Sequence, residues 1–551
     1  RRAFGEAMTR RVLIYDTTLR DGSQSEGISF SLEDKLKILR CLDEFGVDYV
    51  EGGWPNSNPK DAAFFQRARD LPLRHARVSA FGSTRRRSAA ASKDENLRAL
   101  LGAGTPVVAV FGKAWLLHVT EVLGCTPEEN LRMVRESVAF LKEAGREVVF
   151  DAEHFFDGYR ESDAYALEVL GAARAGGADT IVLCDTNGGT LPHESRAIVA
   201  RAVKEFGACV GIHVHNDAGV AVANSLDAVR EGAVQVQGTF NGLGERCGNA
   251  DLAVVIPNLI LKMGCALGVS REALARLTHV ARYVSAVANH HFAENSPFVG
   301  ARAFAHKGGV HVHSVMKQGR TYEHVAPEDV GNDRRFLVSE LAGKANIRLI
   351  ARQEGIDLGG GEDVPRAVVT EIKRLEHEGY QFEGAEASAA LLIKRVLGQA
   401  PVAFELESFR VIVERRPQAR TTVSEATVKV RVDGREELSV GEGTGPVAAL
   451  DAALRAALSE FYPEVEAVRL TDYRVRVVDE DSGTAARVRV IIDSADDKGS
   501  WSTVGVSENI IEASWLALVD SILYGLNRHG AIERFNGRKN AGSREADCCN
   551  G

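Results

Sequence analysis

Long apolar runs are missing from this 551-residue chain. No stretch approaches the roughly 18 uninterrupted apolar residues that a membrane-spanning helix needs, so no membrane partner is expected. The first residues, RRAFGEAMTRR, are basic but lack the apolar segment of a secretory signal. Cysteine is sparse: eight residues, mostly scattered, with no CxxC pair. That excludes a small disulfide scaffold and predicts buried or free thiols in a reducing cytosol, hence a cytoplasmic protein. An excess of positive charge is absent too, because 67 Lys and Arg stand against 76 Asp and Glu, a net charge of -9. Such a chain is a poor nucleic-acid binder, and no nucleic-acid partner is expected.

What remains is ordinary globular composition, 45% apolar and 26% charged. The length suggests about three or four domains. Runs of strand formers alternate with helical stretches from the start to about residue 265. The predicted strands are Val12–Tyr15, Asp48–Gly52, Arg77–Phe81, Val107–Phe111, Glu147–Asp151, Thr180–Cys184, Val210–Val214 and Val234–Gln237. Several are nearly continuous apolar runs (TIVLC, PVVAVF), as expected of parallel strands covered on both faces. Helical segments such as SLEDKLKILRCLDEFG lie between them, with Ser31 a serviceable N-cap. Eight alternations over about 250 residues are the count and length of a TIM (β/α)8 barrel. A doubly wound open sheet competes, but no GxGxxG follows the first strand.

The expected division is a barrel over 8–268, helical subdomains over 269–403, and a C-terminal α+β domain over 404–530. Within the helical part the run GIDLGGGED near residue 360 reads as a loop. In the α+β domain, three period-two strands and a helix recur about 65 residues later, an internal duplication. Asp433-Gly434 sits where its first part needs a hairpin turn. The tail over 531–551 is polar and expected to be disordered.

Strand seven ends in GIHVHND, and residues two apart project from one face of a strand. His213 and His215 at the C-terminal end of a barrel strand suit a metal, although HxH alone has a structural explanation at even odds. Other strand ends carry matching groups. Strand one runs into DTTLRDG with Arg20 and Asp21, and strand five ends in DAEH with Glu153. Strand six ends in CDTNGG with Asp185 and Thr186, and strand eight runs into the glycine-rich GTFNGLGERCGN that brings Asn249 near. An oxygen-rich site with two imidazoles suits Mg²⁺, Mn²⁺, Co²⁺ or Zn²⁺ with positions left open. Such an ion polarises a chelated carbonyl, and Arg20 beside it holds a developing oxyanion.

DTTLRDGSQ, HVHND and the GxGERxGN stretch together resemble the signature of the α-isopropylmalate, homocitrate and citramalate synthase family, over about residues 11 to 530. The resemblance implies a divalent-metal-dependent condensation of acetyl-CoA with an α-ketoacid, followed by thioester hydrolysis. It implies Asp21, His213, His215 and Asn249 as metal ligands, Arg20 and Glu153 as a catalytic pair, and Arg20, Gln24 and Thr186 as ketoacid-binding residues. It also implies that His306 and Tyr322 come from the neighbouring subunit of a homodimer to complete the site as acid–base groups. The C-terminal domain is similar to this family's feedback domain, which senses a branched-chain amino acid, so isoleucine or leucine is the expected effector.

The segment EGGWPNSNPKD is most similar to citramalate synthases, whose ketoacid is pyruvate. Phe81 and Phe111 at the ends of strands three and four leave room for a methyl group and crowd an isopropyl group. The Arg85–Arg87 run is either a solvated face, a contact for CoA phosphates, or a cation for the distal carboxylate of oxoglutarate. Isopropylmalate and homocitrate synthesis are the alternatives within the family. The lyase branch of the same barrel superfamily, and a ligand sensor on an inactive barrel, are the alternatives outside it.

Overall fold

The computed structural model describes residues 10–336, 344–359, 361, 363–416, 421–478 and 486–535. Most of the expected tail, Gly360 and Glu362 of the glycine-rich run, and Cys548 and Cys549 lie outside the described residues. The chain forms two compact units. One comprises the chain up to Phe304 together with His324–Arg334, the other Ala305–Glu323 and the chain from Arg335 onward.

The first unit is a closed eight-stranded parallel barrel. Its strands are β1 (Leu13–Asp16), β2 (Tyr49–Gly53), β3 (Arg77–Ser83), β4 (Val107–Lys113), β5 (Glu147–Glu153), β6 (Thr180–Asp185), β7 (Val210–Val214) and β8 (Gln235–Gly238). Pairing of Leu13 with Gln235 through Asp16 with Gly238 closes the ring. Successive residues of each strand face opposite ways. One set packs outward in the large core shared with the surrounding helices, for example Ile14, Val50, Val108 and Ile181. The other set meets inside the barrel as a small cluster that includes Tyr15, Tyr49, Phe81, Ala109, Val149 and Val182.

The helices are set locally. Ser31 caps Leu32–Phe45 in a reciprocal capping box with Asp34, and Gly46 ends it with φ of 98°. Leu36, Leu39 and Leu42 of that helix are buried. Past residue 268 the helix Leu277–Val287 adds Leu277, Val280 and Val284 to the same core as the barrel.

In the second unit, a short parallel pair joins β9 (Ala305–His306) to β10 (Arg335–Phe336). Further on lie β11 (Glu405–Arg416), β12 (Thr421–Val432) and β13 (Arg435–Gly443), followed by the helix Pro446–Leu458. The same order returns as β14 (Arg469–Val477), β15 (Val488–Asp496), β16 (Gly499–Ser507) and the helix Ile510–Arg528. Each triplet is an antiparallel meander. Asp433 and Gly434 make the β12–β13 turn with φ of 52° and 79°, the backbone a two-residue hairpin requires. The helix Ile510–Arg528 is long and apolar enough to cross a membrane by length and composition alone. Here Ala513, Leu518, Ile522 and Leu526 are buried in the core formed with Val428, Leu454 and Ile492.

Candidate active site

Inside the barrel the inward positions change character toward the C-terminal ends of the strands. Two residues beyond Tyr49 on β2 comes Glu51, and two beyond Val149 on β5 comes Asp151. An interior filled by apolar rings therefore opens into a polar cavity of about 430 Å³. Arg20, Gln24, Glu153, Thr186, His213 and Phe81 are among the residues lining it.

Asp21, His213 and His215 converge there. Each offers one donor atom, and the three atoms lie within 4.8 Å of one another. Asp21 Oδ2 is 3.3 Å from His213 Nε2 and 3.8 Å from His215 Nε2, and all three residues are buried. Burial works against the Asp21 charge, but Arg20 and the hydrogen-bonded His213 outweigh it and hold the carboxyl well below the usual range. Burial, then the neighbouring His213, lowers His215 to about 4, so its ring is neutral at physiological pH. Behind the cluster, His213 Nδ1 lies 3.1 Å from Gln237 Oε1, and Gln237 Nε2 donates to Asp151 Oδ1 at 3.1 Å. Burial works to lower the His213 pKa, but with Gln237 Oε1 beside Nδ1 and the Asp21 carboxylate facing Nε2, the hydrogen bond to Asp21 raises it.

Asn249 reaches the same corner by backbone pairing, as an isolated antiparallel bridge joins it to His215 just beyond β7. Its Nδ2 donates to Leu243 O at 3.0 Å, while its buried Oδ1 has no hydrogen-bond partner. The loop requires glycine. At Gly248, with φ of 81°, a Cβ would sit 1.8 Å from Gly242 O, and at Gly244 it would sit 2.2 Å from Asn249 Nδ2.

Arg20 is placed by a residue that sequence reading missed. Its Nε donates to Glu51 Oε1 at 2.5 Å, and Glu51 Oε2 accepts the Tyr15 hydroxyl at 2.7 Å. Nη1 of Arg20 lies 3.5 Å from Asp21 Oδ2, and its guanidinium carbon lies 3.8 Å above the Phe81 ring centroid. Glu153, expected to form a pair with Arg20, makes its ion pair with Lys113 of β4 instead. The two carboxylates sit on different strands, and only β2 presents its acid alongside Arg20. A lone Glu in the buried run YVEGG was the available signal, as was Gln237 in the buried QVQG.

Thr186 follows β6, and its Oγ1 accepts the His154 backbone N–H at 2.9 Å, which leaves its own O–H free to donate. Arg246 straps this loop, donating to Thr186 O at 2.8 Å and to both Asp217 oxygens at 2.8 and 3.0 Å. Phe81 and Phe111 stack with centroids 5.4 Å apart, and Trp54 meets both edge-on at 5.9 and 5.8 Å. Arg85, by contrast, is no free cation. It is buried, with Nε donating to Glu136 at 2.8 Å and Nη2 to Glu129 at 3.0 Å, so Arg85 itself is not available to CoA phosphates or a distal carboxylate, whereas Arg86 and Arg87 are exposed.

His306 and Tyr322 belong to the second unit. His306 is buried with Nε2 3.1 Å from Glu323 Oε1. Tyr322 is exposed and packs its ring 4.2 Å from that of His311.

Three family descriptions cover most of the chain. HMGL-like matches residues 11–284, the homocitrate synthase post-HMGL domain 298–380, and the LeuA allosteric (dimerisation) domain 383–526. The (R)-citramalate synthase of Aquifex aeolicus is 53% identical over 520 residues, 94% of this chain and 98% of that one. The (R)-citramalate synthase of Geobacter sulfurreducens is 50% identical, with 95% and 99% covered, and that of a Synechocystis strain 48%, with 93% and 96% covered. The chain belongs to the (R)-citramalate synthase family. In this member, the acidic and imidazole cluster, Arg20 and the ring-lined wall all open on one cavity of the HMGL-like barrel.

Proposed function

We propose that this member of the family condenses acetyl-CoA with pyruvate and hydrolyses the resulting thioester, giving citramalate and CoA for isoleucine biosynthesis. The observation that carries the reading is the placement of the Asp21–His213–His215 cluster and Arg20 against a wall of three aromatic rings. One side suits the carboxylate and ketone oxygens of a 2-oxoacid, the other a short alkyl group.

The donor set fits a divalent ion. His213 and His215 both turn Nε2 toward Asp21, His215 is neutral, and the buried Asn249 Oδ1 lacks a partner. Asp21, His213, His215 and Asn249 would hold Mg²⁺, Mn²⁺, Co²⁺ or Zn²⁺. When bound, such an ion supplies Lewis acidity that makes the ketone carbon electrophilic.

The chain's own groups do the rest. Thr186 O–H and Gln24 bind the ketoacid carboxylate. A base takes a proton from the acetyl methyl group, and the resulting enolate carbon bonds to C2 of pyruvate. Negative charge moves to the former ketone oxygen, where the Arg20 guanidinium stabilises it before it takes up a proton. Water then adds to the thioester carbonyl, the C–S bond breaks, and CoA leaves as the thiol. Glu153, paired with Lys113, handles protons at the barrel mouth. His306, held by Glu323, and Tyr322 supply the remaining acid–base groups from a second copy of the chain. A LeuA-type dimerisation domain in each chain supports that arrangement, with the active site shared across a cytoplasmic homodimer.

A substrate panel on metal-reconstituted protein tests the assignment. Pyruvate is expected to give the highest kcat/KM, with 2-oxobutyrate next, because a single methylene is worth only about 1–3 kcal/mol in such a pocket. A clear preference for 2-oxoisovalerate or oxoglutarate overturns it. For the duplicated domain, isoleucine is expected to lower the initial rate. No response to isoleucine or leucine reduces the domain to dimerisation.

A further inference from the structure

The three rings of the alkyl pocket are held in different ways. Phe81 and Phe111 lie on β3 and β4, so the barrel itself fixes them. Trp54 stands one residue beyond β2, outside regular structure, and yet it is pinned at both ends. Its backbone N–H donates to Asp61 Oδ2 at 3.0 Å, and its indole Nε1–H donates to Asn96 Oδ1 at 2.7 Å. Asn96 is anchored in turn by donating from Nδ2 to Ser83 O at 2.6 Å.

The Asp61 end is the more unusual. Its other oxygen takes the Lys35 ammonium at 2.5 Å, and Lys35 also donates to Gly52 O at 3.0 Å. Lys35 comes from the helix Leu32–Phe45 and is only 2% exposed. Lysine is almost never so buried unless paired, and such a pair contributes less to stability than well-packed apolar residues of the same volume. Gly53 lets the chain press close to the carboxylate: its φ is 143°, and a Cβ there would lie 2.5 Å from Asp61. An ion pair, two hydrogen bonds and a position that admits only glycine all converge on where one indole ring stands.

We propose that Trp54 is a specificity-determining residue, the wall that limits the ketoacid alkyl group to a methyl. Asn96 and the Lys35–Asp61 pair are positioning residues that keep the indole against Phe81 and Phe111. The inference rests on the reading that the ketoacid alkyl group enters the aromatic pocket. A smaller residue at 54 enlarges that pocket while leaving Arg20, Asp21, His213 and His215 untouched.

The test measures kcat/KM for pyruvate, 2-oxobutyrate and 2-oxoisovalerate on full-length, metal-reconstituted wild type, Trp54→Leu, Trp54→Phe and Asn96→Ala, with a melting curve for each. Relative to wild type, Trp54→Leu is expected to raise the 2-oxobutyrate-to-pyruvate ratio at least tenfold. Trp54→Phe and Asn96→Ala should move it the same way by less. A purely structural role would lower all three substrates together. Ratios within twofold of wild type for folded Trp54→Leu and Trp54→Phe overturn the proposal, and if Trp54→Leu fails to fold, the Trp54→Phe ratio decides. A wild type that prefers a larger ketoacid refutes the pyruvate assignment instead. The change of ratio between variant and wild type still reports on Trp54 by itself.

Discussion

On the proposed metal-dependent reading, Asp21→Ala is expected to abolish divalent-ion binding and to lose roughly 10³-fold in kcat, the rate equivalent of several kcal/mol of charge stabilisation. Asp21 supplies the anionic oxygen of the cluster, and two imidazoles alone make a weaker, uncharged pair. Its removal also takes away the carboxylate that lies 3.5 Å from Arg20. Metal content by elemental analysis after dialysis, measured alongside the rate, separates ligation from other defects. Gln237→Leu is the graded companion. It leaves every ligand in place but removes the partner beside His213 Nδ1, and outer partners of this kind are typically worth about 10–100-fold in affinity. Full metal occupancy and near-normal turnover in Asp21→Ala would remove the cation from the centre of the site.

The second large effect is at Arg20. Arg20→Met leaves Glu51 fully buried with only the Tyr15 hydroxyl as partner. Breaking a buried pair from one side costs about 3–5 kcal/mol of stability, and loss of an oxyanion donor costs about 10²–10³-fold in kcat. The double variant Arg20→Met, Glu51→Gln discriminates between these two losses. It should regain most of the melting temperature and none of the activity. Recovery of activity in the double variant would make Arg20 a structural cation alone.

The barrel was legible because its strands are covered on both faces and so read as unbroken apolar runs. TIVLC of β6 is buried throughout. The duplication was legible because period-two strands repeat in order with their helices. HxH and the glycine-rich GLGERCGN showed which strand ends carry polar groups. What they do not show is which acid meets which base across the barrel. Arg20 has Glu51 beside it and Glu153 within the same cavity. The choice between them is set by strand register and stagger, which local patterns do not encode. Trp54 was hidden for the same reason. In sequence, EGGWPNSNPKD is a polar loop with one aromatic residue. Its hold depends on Lys35, Asn96 and Ser83, which come from three other segments.

The two repeats of the C-terminal domain bury their apolar residues in a single core, where Val428, Val430 and Leu454 of the first pack with Ile492, Leu518 and Ile522 of the second. Ancestry and thermodynamics therefore divide this domain differently. What arose by copying is now one cooperative body without an internal seam. Any ligand that bound and tightened one half would lend its free energy to both, and selection acting on one repeat is constrained by the packing of its twin.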